Sequence, residues 1–170
     1  MQLTSQQTTA VNAFCHGGQN VCVRAVPGAG KSTLIVEICK VLEQKYDAKC
    51  LVVAYNTDLA AHMVSLLERN NLNSDCFTFH SLCSNTIQLS PDDISFRVAI
   101  NNCKNGLIEA KKLSYQFLLI DEAQDMKDAY MELLDLLFDV KPKVFICGDL
   151  NQMLYDFDPD SSANTQIIET

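Results

Sequence analysis

The residues Ala25-Val26-Pro27-Gly28-Ala29-Gly30-Lys31-Ser32 bring two glycines, a lysine and a hydroxyl together at a spacing suited to holding a polyphosphate. Gly28 and Gly30 let the backbone bend close to an anion with no Cβ in the way. The loop N–H groups and the start of a following helix turn partial positive charge toward the phosphates. Lys31 would reach the β- and γ-phosphates and the Ser32 hydroxyl would sit on Mg²⁺, with Pro27, Ala29 and Thr33 completing the loop. The pattern ordinarily begins with Gly, where this chain has Ala25. A Gly-rich turn before an ordinary helix has the same local composition, so the loop alone does not decide its use.

The second group is Leu118-Leu119-Ile120-Asp121-Glu122-Ala123-Gln124-Asp125. An apolar strand that ends in adjacent carboxylates can present one to a metal ion and the other to a water. Asp121 suits Mg²⁺, and Glu122 suits a general base that activates the attacking water. A solvated acidic turn after a core strand would read the same way on its own. A phosphate loop upstream is what favours the chemical reading.

These groups need a scaffold that carries both to one place. Val21-Cys22-Val23 reads as a buried strand over about 20–24 before the loop, and Thr33–Leu42 has apolar residues at helical spacing after it. Upstream, Leu3–Val11 reads as a short helix capped by Thr4 or Ser5. Cys50–Tyr55, Cys76–Phe79, Gln116–Ile120 and Val144–Cys147 read as further strands. Helices are expected from Asp58 to Arg69, from His80, from the Ser90-Pro91-Asp92-Asp93 start and from Asp128 to Phe138. The alternation predicts an α/β fold, a doubly wound, mostly parallel sheet with helices on both faces and the loop at the carboxyl end of the first strand. One domain is expected over 1–157, with 158–170 as a polar, acidic and poorly ordered tail.

Composition limits what this scaffold can do. The 170 residues are 48% hydrophobic and 20% charged, ordinary for one globular domain. No apolar run approaches the roughly 20 residues of a membrane span, and residues 1–7 do not form a signal peptide. No membrane association is expected. Of eight cysteines, Cys15, Cys22, Cys39, Cys50, Cys76 and Cys147 fall in apolar segments, and no C-x-x-C pair occurs. Buried thiols in an intracellular, reducing compartment (cytoplasm or nucleus) are expected, with no disulfide-linked partner and no zinc site. The formal net charge is −8, and Arg24, Arg69 and Arg97 are the only arginines. Any contact with nucleic acid must therefore be local or shared with another part of a larger machine.

With both chemical groups in place, the chain resembles the ATP-binding half of superfamily 1 DNA helicases of the UvrD/Rep type, a RecA-like P-loop NTPase fold. Asp121-Glu122-Ala123-Gln124-Asp125 is close to that family's second motif, and further stretches follow in the family's order. Leu3–Val11 resembles its N-terminal Gln motif, which implies Gln7 as reader of the adenine edge of ATP. Tyr55-Asn56-Thr57-Asp58-Leu59-Ala60 is similar to motif Ia and Thr78-Phe79-His80-Ser81-Leu82 to motif Ib; both line single-stranded DNA in relatives. The resemblance thus implies nucleic-acid contacts at Thr57, Thr78, Phe79 and His80. Gly148–Phe157 resembles motif III, which implies Gln152 as γ-phosphate sensor and a DNA role for Tyr155 or Phe157. Read without the resemblance, Gln7 is a surface glutamine, His80 a helix-start residue, and Tyr155 and Phe157 core. Asp58 departs from the pattern by placing an acid where relatives carry a neutral or basic residue, which argues against strong backbone contact there.

The resemblance covers about residues 3–157 and stops short of the second RecA-like domain whose arginines reach the γ-phosphate in relatives. Only about 35 residues separate the Ib and II stretches, so the usual accessory insertion is vestigial or absent. An arginine finger is worth about 10³–10⁵ in rate, or roughly 4–7 kcal/mol of barrier. The expectation is an ATP–Mg²⁺-binding motor half that turns over little without a second RecA-like domain in cis or trans. A nucleotide-dependent binding or regulatory module without unwinding activity is the alternative.

Overall fold

The computed structural model describes residues 3–26, 28–87, 93–123, 128–148 and 165–169. In chain order these form α1 (Ser5–His16), β1 (Asn20–Arg24), α2 (Lys31–Tyr46), β2 (Cys50–Ala54), α3 (Thr57–Arg69), β3 (Asp75–Thr78), α4 (Phe79–Ile87), α5 (Asp93–Lys104), β4 (Phe117–Ile120), α6 (Asp128–Leu137), β5 (Lys143–Gly148) and β6 (Thr165–Glu169). The strands make one six-stranded sheet in the order β3-β2-β4-β5-β1-β6, and every pairing is parallel.

Parallel strands joined by crossover helices are covered on both faces, so their sequences are apolar throughout rather than alternating. β2, Cys50-Leu51-Val52-Val53-Ala54, is buried at every position. The period of two still sorts its side chains between layers. Cys50 and Val52 join Val21, Val23, Leu119, Phe145 and Cys147 against α1, α2 and α3. Leu51 and Val53 join Cys22, Leu118, Ile120 and Ile146 against α4, α5 and α6. Leu34, Ile35, Ile38 and Leu42, at helical spacing on α2, are almost fully buried on the first face. Side chains of this kind contribute about 1.5–3 kcal/mol each.

α1 is capped within itself at one end and tied to the sheet at the other. Thr4 is its N-cap and forms a reciprocal capping box with Gln7: Gln7 N–H donates to Thr4 Oγ1 (3.2 Å) and Thr4 N–H to Gln7 Oε1 (2.9 Å). At the other end Lys143 Nζ donates to the carbonyls of Phe14 and Gly17 and lies 4.8 Å from the centre of the Phe14 ring. A cation there complements the helix C-terminus.

Of the stretch 158–170, expected as a polar and poorly ordered tail, residues 165–169 are described. Thr165–Glu169 is a strand that pairs with β1, Cys22 standing opposite Ile167 and Val23 opposite Ile168. The polar Asp-Pro-Asp-Ser-Ser-Ala-Asn stretch before it dominates the composition and hides a short β-branched run, Thr-Gln-Ile-Ile. The helix expected after Pro91 is α5, described from Asp93; its Ser90-Pro91-Asp92 start lies outside the described residues.

Candidate nucleotide-binding site

Every strand end that the motifs occupy is a carboxyl end, so the parallel sheet gathers them along one edge. β1 leads into the loop, β2 into Tyr55–Thr57, β3 into α4, β4 into Asp121 and β5 into Gly148. This is where open α/β sheets bind ligands.

The loop leaves β1 through Ala25, whose N–H donates to Gly148 O on β5 (3.1 Å), and turns with Ala29 N–H on Val26 O (3.2 Å). Gly28 (φ 82°) and Gly30 (φ 80°) both lie in the left-handed region that disfavours a side chain. Gly30 is the N-cap of α2 and supplies no side-chain acceptor, which leaves the first N–H groups of the helix for an anion. Pro27 lies outside the described residues. Gly28 is exposed, and Ala29, Ser32 and Thr33 are half-buried.

Gln7 is part of this loop's support. Its Nε2 donates to Ala29 O (2.8 Å), and the position that a Cβ on Gly30 would take is only 2.8 Å from the same atom. A backbone N–H on one side and a carbonyl on the other fix which end of the amide faces which way. One N–H and one oxygen lone pair remain.

Lys31 is 9% exposed, and its Nζ is 3.1 Å from Glu122 Oε1. The two residues singled out for phosphate contact and for base chemistry are thus directly paired. Glu122 itself has φ 52°, one of three non-glycine residues with positive φ among the described residues. Such a conformation costs of order 1–3 kcal/mol and is held by its surroundings. Asp121 is 3% exposed; its N–H continues the sheet onto Val53 O (3.0 Å). Its Oδ1 accepts from Glu122 N–H (3.0 Å) and from the Cys147 thiol (3.3 Å). Burial, above all, raises its carboxyl above the usual range. Burial likewise holds Cys147 as a neutral thiol, well above the ordinary value for cysteine.

Mg²⁺ can be tested against these residues. Asp121 Oδ2 and the Ser32 hydroxyl have no hydrogen-bond partner among the described residues. A buried carboxylate oxygen left this way is a costly arrangement unless a cation completes it. No group of three or more His, Cys, Asp or Glu side chains among the described residues forms a metal cage. One carboxylate and one hydroxyl, with substrate phosphates and water, is how Mg²⁺ is usually held. The residues fit.

The nucleic-acid candidates separate into exposed and buried. Thr57 is exposed at the first position of α3, which Asn56 caps through Leu59 N–H (2.9 Å). Thr78 uses its hydroxyl to accept from Ser81 N–H (3.1 Å) at the start of α4, and His80 is half-buried with its ring 6.2 Å from that of Tyr130. Phe79 is not available to a strand of DNA: it is 2% exposed and stacked on Tyr130 at 4.5 Å. Its place in the Thr-Phe-His stretch is a core anchor that orients the residues on either side. Tyr55, which the sequence reading did not single out, is 42% exposed at the end of β2. Gln152, Tyr155 and Phe157 lie outside the described residues. Cys147 was counted only as a buried thiol; nothing in its sequence neighbourhood signals contact with Asp121.

The AAA domain family matches residues 7–158, a span that holds Gln7, the phosphate loop and both carboxylates. The chain belongs to the AAA domain family. That span takes in most of the stretches that resemble motifs of superfamily 1 helicases. A probable DNA helicase II homolog of Mycoplasma genitalium is 30% identical over 88 residues, 52% of this chain and 11% of that protein. The chain therefore matches only about a tenth of that relative's length. The fold is RecA-like: the UvsW helicase of bacteriophage T4 superposes with a TM-score of 0.63 at 14% identity, covering 100% of this chain and 61% of that one. The Pif1 helicase of Candida albicans gives 0.60 at 19% identity over 100% and 40%. All eight cysteines of this AAA domain are free. No helix among its described residues is long and apolar enough to cross a membrane.

Proposed function

We propose that this domain is the ATP-binding motor half of an ATP-dependent DNA helicase, which takes ATP with Mg²⁺ and contacts single-stranded DNA. The observation that carries the reading is the Lys31–Glu122 pair beside a buried Asp121, one of whose oxygens has no hydrogen-bond partner among the described residues. Phosphates entering the loop draw Lys31 away from Glu122, since a polyphosphate is the stronger anion and lies on the helix N-terminus. Glu122 then accepts a proton from the attacking water. Ser32 and Asp121 would hold Mg²⁺, which would supply positive charge against the phosphates. Gln152 senses the γ-phosphate, and the remaining N–H and lone pair of Gln7 meet the adenine edge.

Thr57, Thr78, His80 and Tyr155 contact single-stranded DNA, weakly because the chain carries a net charge of −8. A second RecA-like domain, in cis or trans, supplies the arginines that make hydrolysis fast. Eight free thiols support a reducing intracellular setting.

The test is nucleotide-dependent thermal stabilisation with ATP and Mg²⁺, wild type against Lys31→Ala. The wild type should gain stability in proportion to ligand concentration and the variant should gain none. Equal melting shifts would remove the phosphate site from this loop.

A further inference from the structure

We infer that Cys147 is a positioning residue for the metal: its thiol orients the Asp121 carboxylate so that one oxygen is left for Mg²⁺. This rests on the reading of Asp121 as a metal ligand. Register brings the two together, because Ile120 on β4 stands opposite Ile146 on β5, and the next residues along are Asp121 and Cys147. Cys147 is fully buried and its Sγ lies 3.3 Å from Asp121 Oδ1 and 3.6 Å from Ile120 O. The carboxylate is the nearer acceptor and the charged one, so it takes the single thiol hydrogen.

With Glu122 N–H on the same oxygen at 3.0 Å, Oδ1 carries two donors and Oδ2 none among the described residues. A carboxylate with one donor can turn about its last bond and exchange its oxygens. Two donors arriving from different strand ends fix the plane of the group. The division of labour is that Oδ1 belongs to the protein and Oδ2 to the cation. A thiol suits this task for a physical reason. It is a weak donor, so it withdraws little charge from the carboxylate it orients, and it is apolar enough to sit among Val23, Leu119 and Phe145. Partners that orient metal ligands typically change metal affinity 10–100-fold when removed, and a thiol belongs at the low end of that range.

The experiment is a Mg²⁺ titration of ATP binding, followed by thermal stabilisation, for the wild type, Cys147→Val, Cys147→Ala, Cys147→Ser and Asp121→Asn, with ATP binding in EDTA and the ligand-free melting temperature measured alongside. Valine keeps the packing and loses the donor; serine keeps a donor and loses some packing. The expected result is a Mg²⁺ half-saturation raised about tenfold in the valine and alanine variants and restored by serine to within about twofold of wild type. ATP binding in EDTA should be the same in all the Cys147 variants. If valine and alanine titrate like wild type while Asp121→Asn loses its Mg²⁺ response, or if serine fails to rescue, Cys147 is a packing residue and the inference is wrong. If Asp121→Asn keeps the wild-type Mg²⁺ response, the metal reading of Asp121 fails instead, and the role of Cys147 falls with it.

Discussion

Replacing Glu122 by Gln should tighten ATP binding while abolishing hydrolysis. Gln has the shape of Glu and faces the same backbone conformation, φ 52°, so the substitution changes charge and little else. Unit charges 3.1 Å apart interact by roughly 5 kcal/mol at an effective dielectric of about 20. Most of that is recovered when Lys31 exchanges the carboxylate for phosphate, and the 22% exposure of the Glu122 side chain lets water take up part of the rest. About 1 kcal/mol is left as the net barrier that ATP must overcome to claim the lysine, which corresponds to roughly fivefold in affinity. Calorimetric titration of the wild type and Glu122→Gln with ATP–Mg²⁺ reads this directly. Steady-state phosphate release, alone and with a second RecA-like domain supplied in trans, reads the loss of the base. An affinity in Glu122→Gln equal to or weaker than wild type would refute the argument that the pair competes with nucleotide. Undiminished phosphate release would refute Glu122 as the base.

Gly30→Ala should weaken ATP binding at least tenfold and lower the melting temperature. A left-handed residue costs about 1–2 kcal/mol with a Cβ, and that Cβ would meet Gln7 Nε2 at 2.8 Å; nucleotide binding and a melting curve check both effects. Asp121→Asn should raise the melting temperature of the ligand-free protein at neutral pH by a few degrees, as roughly 1 kcal/mol does in a domain of this size. The sign follows from burial. The folded carboxyl titrates above its unfolded value of 3.8, so the native state binds the proton more tightly, and stability falls as pH rises from the unfolded to the folded value. The gain from Asn should therefore vanish near pH 3, which scanning calorimetry across pH would show.

Strand and helix positions were legible because burial on both faces writes itself as apolar runs such as Leu51-Val52-Val53 and Leu118-Leu119-Ile120. The loop and the Asp121-Glu122 pair were legible because their chemistry is local in sequence. What escaped was everything made by register. Cys147 reaches Asp121 only because β5 lies beside β4, and Lys31 meets Glu122 only because β1 and β4 end at the same edge. Phe79 misled because Thr78 and His80 on either side of it are only half-buried, while its own ring is buried against Tyr130 on α6. The β6 strand was hidden by the polar residues before it, since five residues are too few to outweigh their context.

β1 lies early in sequence and late in assembly. Both of its hydrogen-bonding neighbours, β5 and β6, are drawn from residues 143–148 and 165–169, and Val144 N–H finds Asn20 Oδ1 across 124 residues of chain. At synthesis rates of roughly 5–20 residues per second, an apolar strand waits about 6–25 s with both edges open. Open edges of this kind template intermolecular pairing, so a nascent chain is most prone to aggregate in that interval. The phosphate loop waits too, because Ala25 is held by Gly148 O on β5. A ligand of this loop therefore finds its site complete only after β5 has joined the sheet.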